Sequence, residues 1–163
     1  MGDRKIVVTY SDNTDDIDDM HTYRVAVRAV SYMDRIHYYT LQREGIEWFQ
    51  NQTDMTLDQE LENPEHIAMR NLVYFRAEML CAIDRERLSD GTAYICEYRN
   101  GNGKFERQPL PSEWTTMDGM AENMPPPLMD EWLEAVRRLN GGVLPSIPDF
   151  FQPTSVVTST LDS

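Results

Sequence analysis

The stretch from Thr22 to Leu41 constrains this chain more than any other, because it specifies a strand and a helix back to back. Tyr23, Val25, Val27 and Ala29 alternate with Arg24, Ala26, Arg28 and Val30, the period of two that gives a strand one apolar face. Ser31 follows, with Asp34 three residues later. A hydroxyl at a helix cap and a carboxylate in the first turn both satisfy free N–H groups, and the carboxylate suits the positive helix end. A strand therefore runs directly into a helix.

The flanking segments supply partners for both halves. Lys5 to Tyr10 is β-branched and aromatic and pairs most simply with Thr22 to Val30 as an antiparallel hairpin. The connection between them holds Asp12, Asp15, Asp16, Asp18 and Asp19, carboxylates that repel one another and keep the loop solvated. Asp12, Thr14, Asp16 and Asp18 have the alternation of a calcium loop, but Ile17 stands where glycine is required and Tyr23 where a bidentate acid is required. The helix from Ser31 is expected to stop or kink at Gly45. Thr56 and Gln59 form a capping-box pattern for a short helix with Leu57 and Leu61. Asn63, Pro64 and Glu65 start a further helix whose apolar stripe is Ala68, Leu72, Phe75, Met79 and Ala82. That stripe is expected to pack on the aromatic face of the Ser31 helix.

Asp90-Gly91 is expected to end the Asn63 helix and open a second hairpin, Thr92 to Tyr98 returning as Lys104 to Arg107 around Asn100-Gly101-Asn102-Gly103. A short helix is expected from Ser112 through Trp114 and Met117, then extended prolines at Pro125, Pro126 and Pro127. Leu128 to Leu139 reads as an amphipathic helix, with Asp130 and Glu131 early, Arg137 and Arg138 late, and Gly141-Gly142 to stop it. Together these elements predict an α+β, mainly α protein with an N-terminal β-hairpin, a helical core, a second small β-hairpin, a C-terminal helix and a flexible tail. Residues 1–142 form a single globular domain in this reading, and 143–163 form the tail.

Charge narrows the partners. Lys and Arg number 15 against 28 Asp and Glu, a formal net charge of −13. Nucleic acid and anionic lipid are repelled by such a field, whereas a basic protein partner is attracted. No nucleic-acid or membrane partner is expected; a protein partner is, with oligomerisation left open. No signal peptide and no apolar run of a membrane span's length is visible, so a cytoplasmic location is expected. Cys81 and Cys96 read as reduced, packed thiols. His21, His37 and His66 fall in no metal spacing, and the glycines after Asn100 match no phosphate loop. No nucleophile elbow is present. Neither a cofactor, a metal site nor an enzymatic role is expected.

Two stretches carry a resemblance. Val25-Ala26-Val27-Arg28-Ala29-Val30-Ser31-Tyr32-Met33-Asp34-Arg35, with the strand before it, is similar to the strand-to-helix passage of bacteriophage tail assembly chaperones. Leu128-Met129-Asp130-Glu131-Trp132-Leu133-Glu134-Ala135-Val136-Arg137-Arg138-Leu139-Asn140 is similar to their late Trp-bearing helix, although Gly141-Gly142 follows where Asn-Pro belongs. The resemblance implies a mostly helical protein that binds the tape measure protein during tail assembly and is absent from the finished particle. Such a client binder needs exposed apolar stripes, adaptable Met and aromatic residues, and a charged surface. The expected binding mode is a helix-in-groove contact through Trp132, Val136 and Leu139, with Tyr32, Ile36 and Tyr39 as a second surface. Two alternatives are a structural tail or connector subunit of a phage virion, and an acidic inhibitor that mimics DNA charge.

Overall fold

The computed structural model describes residues 4–12 and 15–144. Strand β1 (Lys5–Asp12) pairs antiparallel with β2 (His21–Arg28), with Val8 opposite Val25. Val25 and Val27 point into the core, as the alternation requires, and both are buried. Between the strands the acidic connection forms a short 3-10 turn, Ile17–Asp19, capped by the Asp16 carboxylate. Asp12 accepts the His21 N–H. Thr14 lies outside the described residues.

Helix α1 (Tyr32–Thr53) starts on the expected capping box. Ser31 Oγ accepts from Asp34 N, and the Asp34 carboxylate accepts from Ser31 N. The helix does not stop at Gly45 but runs on to Thr53. That residue is where α1 crosses α2 (Pro64–Cys81), and a Cβ on it would lie 2.5 Å from Val73 Cγ1. The glycine is there for close approach, not termination. Gly45→Ala is therefore expected to destabilise the fold by about 1–3 kcal/mol despite alanine's better helix propensity. Thermal melts should show the loss and should show it largely relieved when Val73→Ala is added.

The α1–α2 pair exists as expected, but on another face. Asp34, Tyr38, Tyr39, Leu41, Gln42, Gly45 and Phe49 are the buried residues of α1, while Tyr32 and Ile36 are exposed. No helix forms at Thr56; Thr56 N instead donates to Gln59 Oε1 in a turn.

The fold class needs correction. The protein is α+β but not mainly helical, being 49% helix and 25% strand over the described residues, and the two hairpins are not independent. They form one five-stranded antiparallel sheet. Helix α2 ends at Cys81, and β3 (Arg85–Leu88) follows where a continued helix was expected. Strand β4 (Gly91–Asn100) then pairs three ways along its length, with β3 at Gly91 to Tyr94, with β5 (Glu106–Pro109) at Ile95 to Tyr98, and with β2 at Glu97 to Asn100. The Val27–Ile83 bridge closes the gap where β2 diverges from β4. Gly101 bonds to Met20, fastening the second hairpin turn to the acidic connection.

A 3-10 turn (Ser112–Trp114) and helix α3 (Met117–Asn123) replace the single short helix expected there. Helix α4 (Pro126–Asn140) begins inside the proline run, since Pro is well suited to a first helical turn, and stops at Gly141 with φ 74°. Its apolar face packs inward. Asn140 accepts the Val30 N–H at 2.8 Å, tying the end of α4 to the strand-to-helix junction. Ordered packing continues past Gly142, because Leu144 is buried and its carbonyl accepts the Tyr38 hydroxyl. The remainder of the expected tail, 145–163, lies outside the described residues.

Candidate functional site

Burial separates the six expected partner residues into two groups. Trp132 and Val136 have no exposed surface, and Leu139 is 9% exposed. Trp132 also donates its indole N–H to Met79 O at 3.0 Å. These residues face the core, so the helix-in-groove surface expected on α4 is corrected: the amphipathic stripe is satisfied within the chain. Tyr39 is likewise buried.

Tyr32 and Ile36 remain at the surface. With Met33 between them, they are 74%, 65% and 46% exposed in the order Tyr32, Met33, Ile36. The helical repeat places Tyr32 and Ile36 one turn apart on one ridge at the start of α1. Their exposure follows from the junction. Asp34, on the opposite side of this turn, is drawn inward by Arg28 and Arg85, which rotates the ridge outward.

Two depressions flank the ridge. The smaller, about 140 Å³, lies along Tyr32, Arg35, Ile36 and Tyr39, where Arg35 Nη2 donates to the Tyr39 hydroxyl. The larger, about 620 Å³, runs from Met33 and Ile36 across His37 to the β3–β4 hairpin and to Thr115. It brings together Arg76, Arg85 and Arg87, with Glu44 as the one carboxylate among the described residues of its wall.

Each arginine in this groove is placed differently. Arg85 is held by Asp34 Oδ1 at 2.9 Å. Arg76, 8% exposed, donates Nε to Thr115 O at 2.7 Å and Nη2 to Glu44 Oε1 at 3.2 Å. Its Nη1 is sealed from solvent and has no hydrogen-bond partner among the described residues. Arg87 is exposed on β3. His37 Nε2 and the Tyr94 hydroxyl share a hydrogen bond of 2.7 Å at the floor. Burial first, then Arg85, pushes His37 down to about 4, and burial pushes Tyr94 up to about 12. Both groups are uncharged near neutral pH, so the arginines set the sign of the groove.

No motif or spacing in the sequence marks Arg76, Arg85, Arg87 and Tyr94 as a group. Their convergence depends on β3 turning back beside α1, which no local pattern in α1 encodes.

Elsewhere the chemistry is sparse. Both cysteines are free and buried, and burial pushes Cys81 up to about 12 and Cys96 up to about 11. Among the described residues no group of three or more His, Cys, Asp or Glu is placed to hold a metal ion, and no helix is long and apolar enough to cross a membrane. Comparison of the chain with protein-family models, curated proteins and solved structures found no match. The α+β architecture and the site's own geometry are therefore what bear on function.

Proposed function

We propose that the protein acts by binding another protein, as a tail assembly chaperone that holds a helical segment of a tape measure client on the ridge at the start of α1. The observation that carries this reading is the adjacent exposure of Tyr32, Met33 and Ile36 on a chain of net charge −13. A large aromatic, a flexible thioether and a β-branched side chain side by side make an adaptable apolar contact. An amphipathic client helix would lay its apolar stripe there, and a client with basic flanks would be steered by the acidic field. In this reading the protein works in the host cytoplasm, as an assembly factor and not as a catalyst.

The test uses the purified full chain and a purified tape measure polypeptide from the same genome. Capture is expected. The Tyr32→Ser, Ile36→Ser double variant should lose about tenfold to a hundredfold in affinity while melting like the parent, because both side chains already face solvent. Absence of binding, or binding that the double substitution leaves unchanged, would overturn the proposal. Recovery of the protein from purified particles at stoichiometric copy number would instead make it a structural tail or connector subunit.

A further inference from the structure

We infer that the arginine-lined groove between α1, the end of α2 and the β3–β4 hairpin binds a carboxylate carried beside an apolar group. The inference does not depend on the tape measure reading.

The first support is local charge. Three arginines and one glutamate line this groove in a chain with 28 acidic and 15 basic residues. Arg76 is paired with Glu44 and Arg85 with Asp34, so the excess positive charge is that of Arg87, and a locally cationic concave site draws in the opposite charge.

The second is the state of Arg76. A buried cation is tolerated when its donors are used, and a donor left without an acceptor retains its desolvation cost. Glu44 and the Thr115 carbonyl use two edges of this guanidinium, and Nη1 is left without an acceptor in a residue that lines the groove. Nη1 is sealed from solvent in this structure, so a carboxylate in the groove reaches it through a small movement of the Arg76 head group. Arg87 makes no salt bridge among the described residues and provides a second cation at the mouth.

The third is size and lining. A groove of about 620 Å³ lies in the range of ligand sites and is far larger than a lone anion needs. Met33 and Ile36 form its apolar wall, so the rest of the ligand is apolar where it meets α1. A carboxylate is favoured over a phosphate because one planar group matches a guanidinium edge, whereas the apolar wall of Met33 and Ile36 offers a phosphate's remaining oxygens no donor.

The carboxylate could come from an acidic residue of a peptide or from a free dicarboxylate, and the probes separate these. The full chain is titrated at low salt with a capped peptide carrying Glu between two Leu, with glutarate, and with inorganic phosphate, following amide shifts at Thr92 and Tyr94. The expected result is saturable binding of the peptide and weaker binding of glutarate and phosphate. Glutarate binding as tightly as the peptide would assign the site to a free carboxylate. Arg87→Glu, at an exposed position, should weaken carboxylate binding by about tenfold or more without changing the melting temperature. Arg76→Gln tests the buried donor in any variant preparation that still melts cooperatively. No saturable binding of either carboxylate, phosphate binding at least as tight as theirs, or an Arg87→Glu variant that binds like the parent would overturn the inference.

Discussion

Trp132→Ala is expected to destabilise the whole protein by about 3–5 kcal/mol, not to leave a folded chain with weakened partner capture. The indole has no exposed surface and sits in the main core with Val27, Met79 and Val136. Its N–H is bonded to the Met79 carbonyl within α2, so truncation opens a cavity and also removes that carbonyl's side-chain donor. Against a typical total stability of about 5–15 kcal/mol, this is a large fraction. A urea titration should show the midpoint falling steeply. Trp132→Phe refines the expectation, because it keeps most of the volume and loses the hydrogen bond, so it should cost less than the alanine variant. A Trp132→Ala protein with an unchanged midpoint and lost client binding would return the binding site to α4.

The contrast between Trp132 and Tyr32 shows how far sequence pattern reaches. Both lie on helices with recognisable starts, and both are aromatic residues at helical spacing from aliphatic ones. Periodicity states that such residues share a face; it does not state whether the chain itself covers that face. The α4 stripe is covered by α2 and β1. The ridge of Tyr32 and Ile36 is left open because α1 presents Tyr38, Leu41 and Phe49 to α2 instead. Tertiary packing decided between the two, and that information is not local.

The sheet shows the same limit in another form. Capping at Ser31 and Asn63, the first hairpin and the Asn100 to Gly103 turn all rest on short-range chemistry and are legible in the residues. The β3 strand was hidden by Asp90-Gly91. That dipeptide is both a helix-stop signal and a hairpin turn, and the apolar spacing through Met79, Ala82 and Ile83 favoured the former. Alternation in Arg85-Glu86-Arg87-Leu88 carries no apolar face to betray a strand, since these residues lie at a polar edge. The groove went unread for this reason, because it exists only when β3 returns beside α1.

Asp34→Ala is expected to cost about 3–5 kcal/mol, comparable to the loss of the central tryptophan, although it removes only a surface-sized polar side chain. Asp34 is 2% exposed and closes three contacts at the strand-to-helix junction. It pairs with Arg28 from β2, accepts Arg85 Nη1 from β3, and accepts the Ser31 N–H at the cap. Removing it strips Arg85 of its carboxylate, leaves Arg28 with the more distant Asp84 at 3.6 Å, and opens the cap together. Burial pushes the Asp34 carboxyl upward, but the bonds from Arg28, Ser31 and Arg85 outweigh this and hold it at about 2, below its ordinary 3.8. The folded state thus binds this proton more weakly than the unfolded state does. The resulting stabilisation, on the order of 2 kcal/mol, is present above the ordinary carboxylate range and is lost as pH falls through about 4 toward 2. Asp34→Asn isolates that part, because the amide oxygen can still accept at the cap while the charge is gone. The stability gap between the parent and Asp34→Asn should be widest above pH 5 and shrink steadily toward pH 2 in urea melts. A gap that does not change with pH would mean that shape, and not charge, holds the junction.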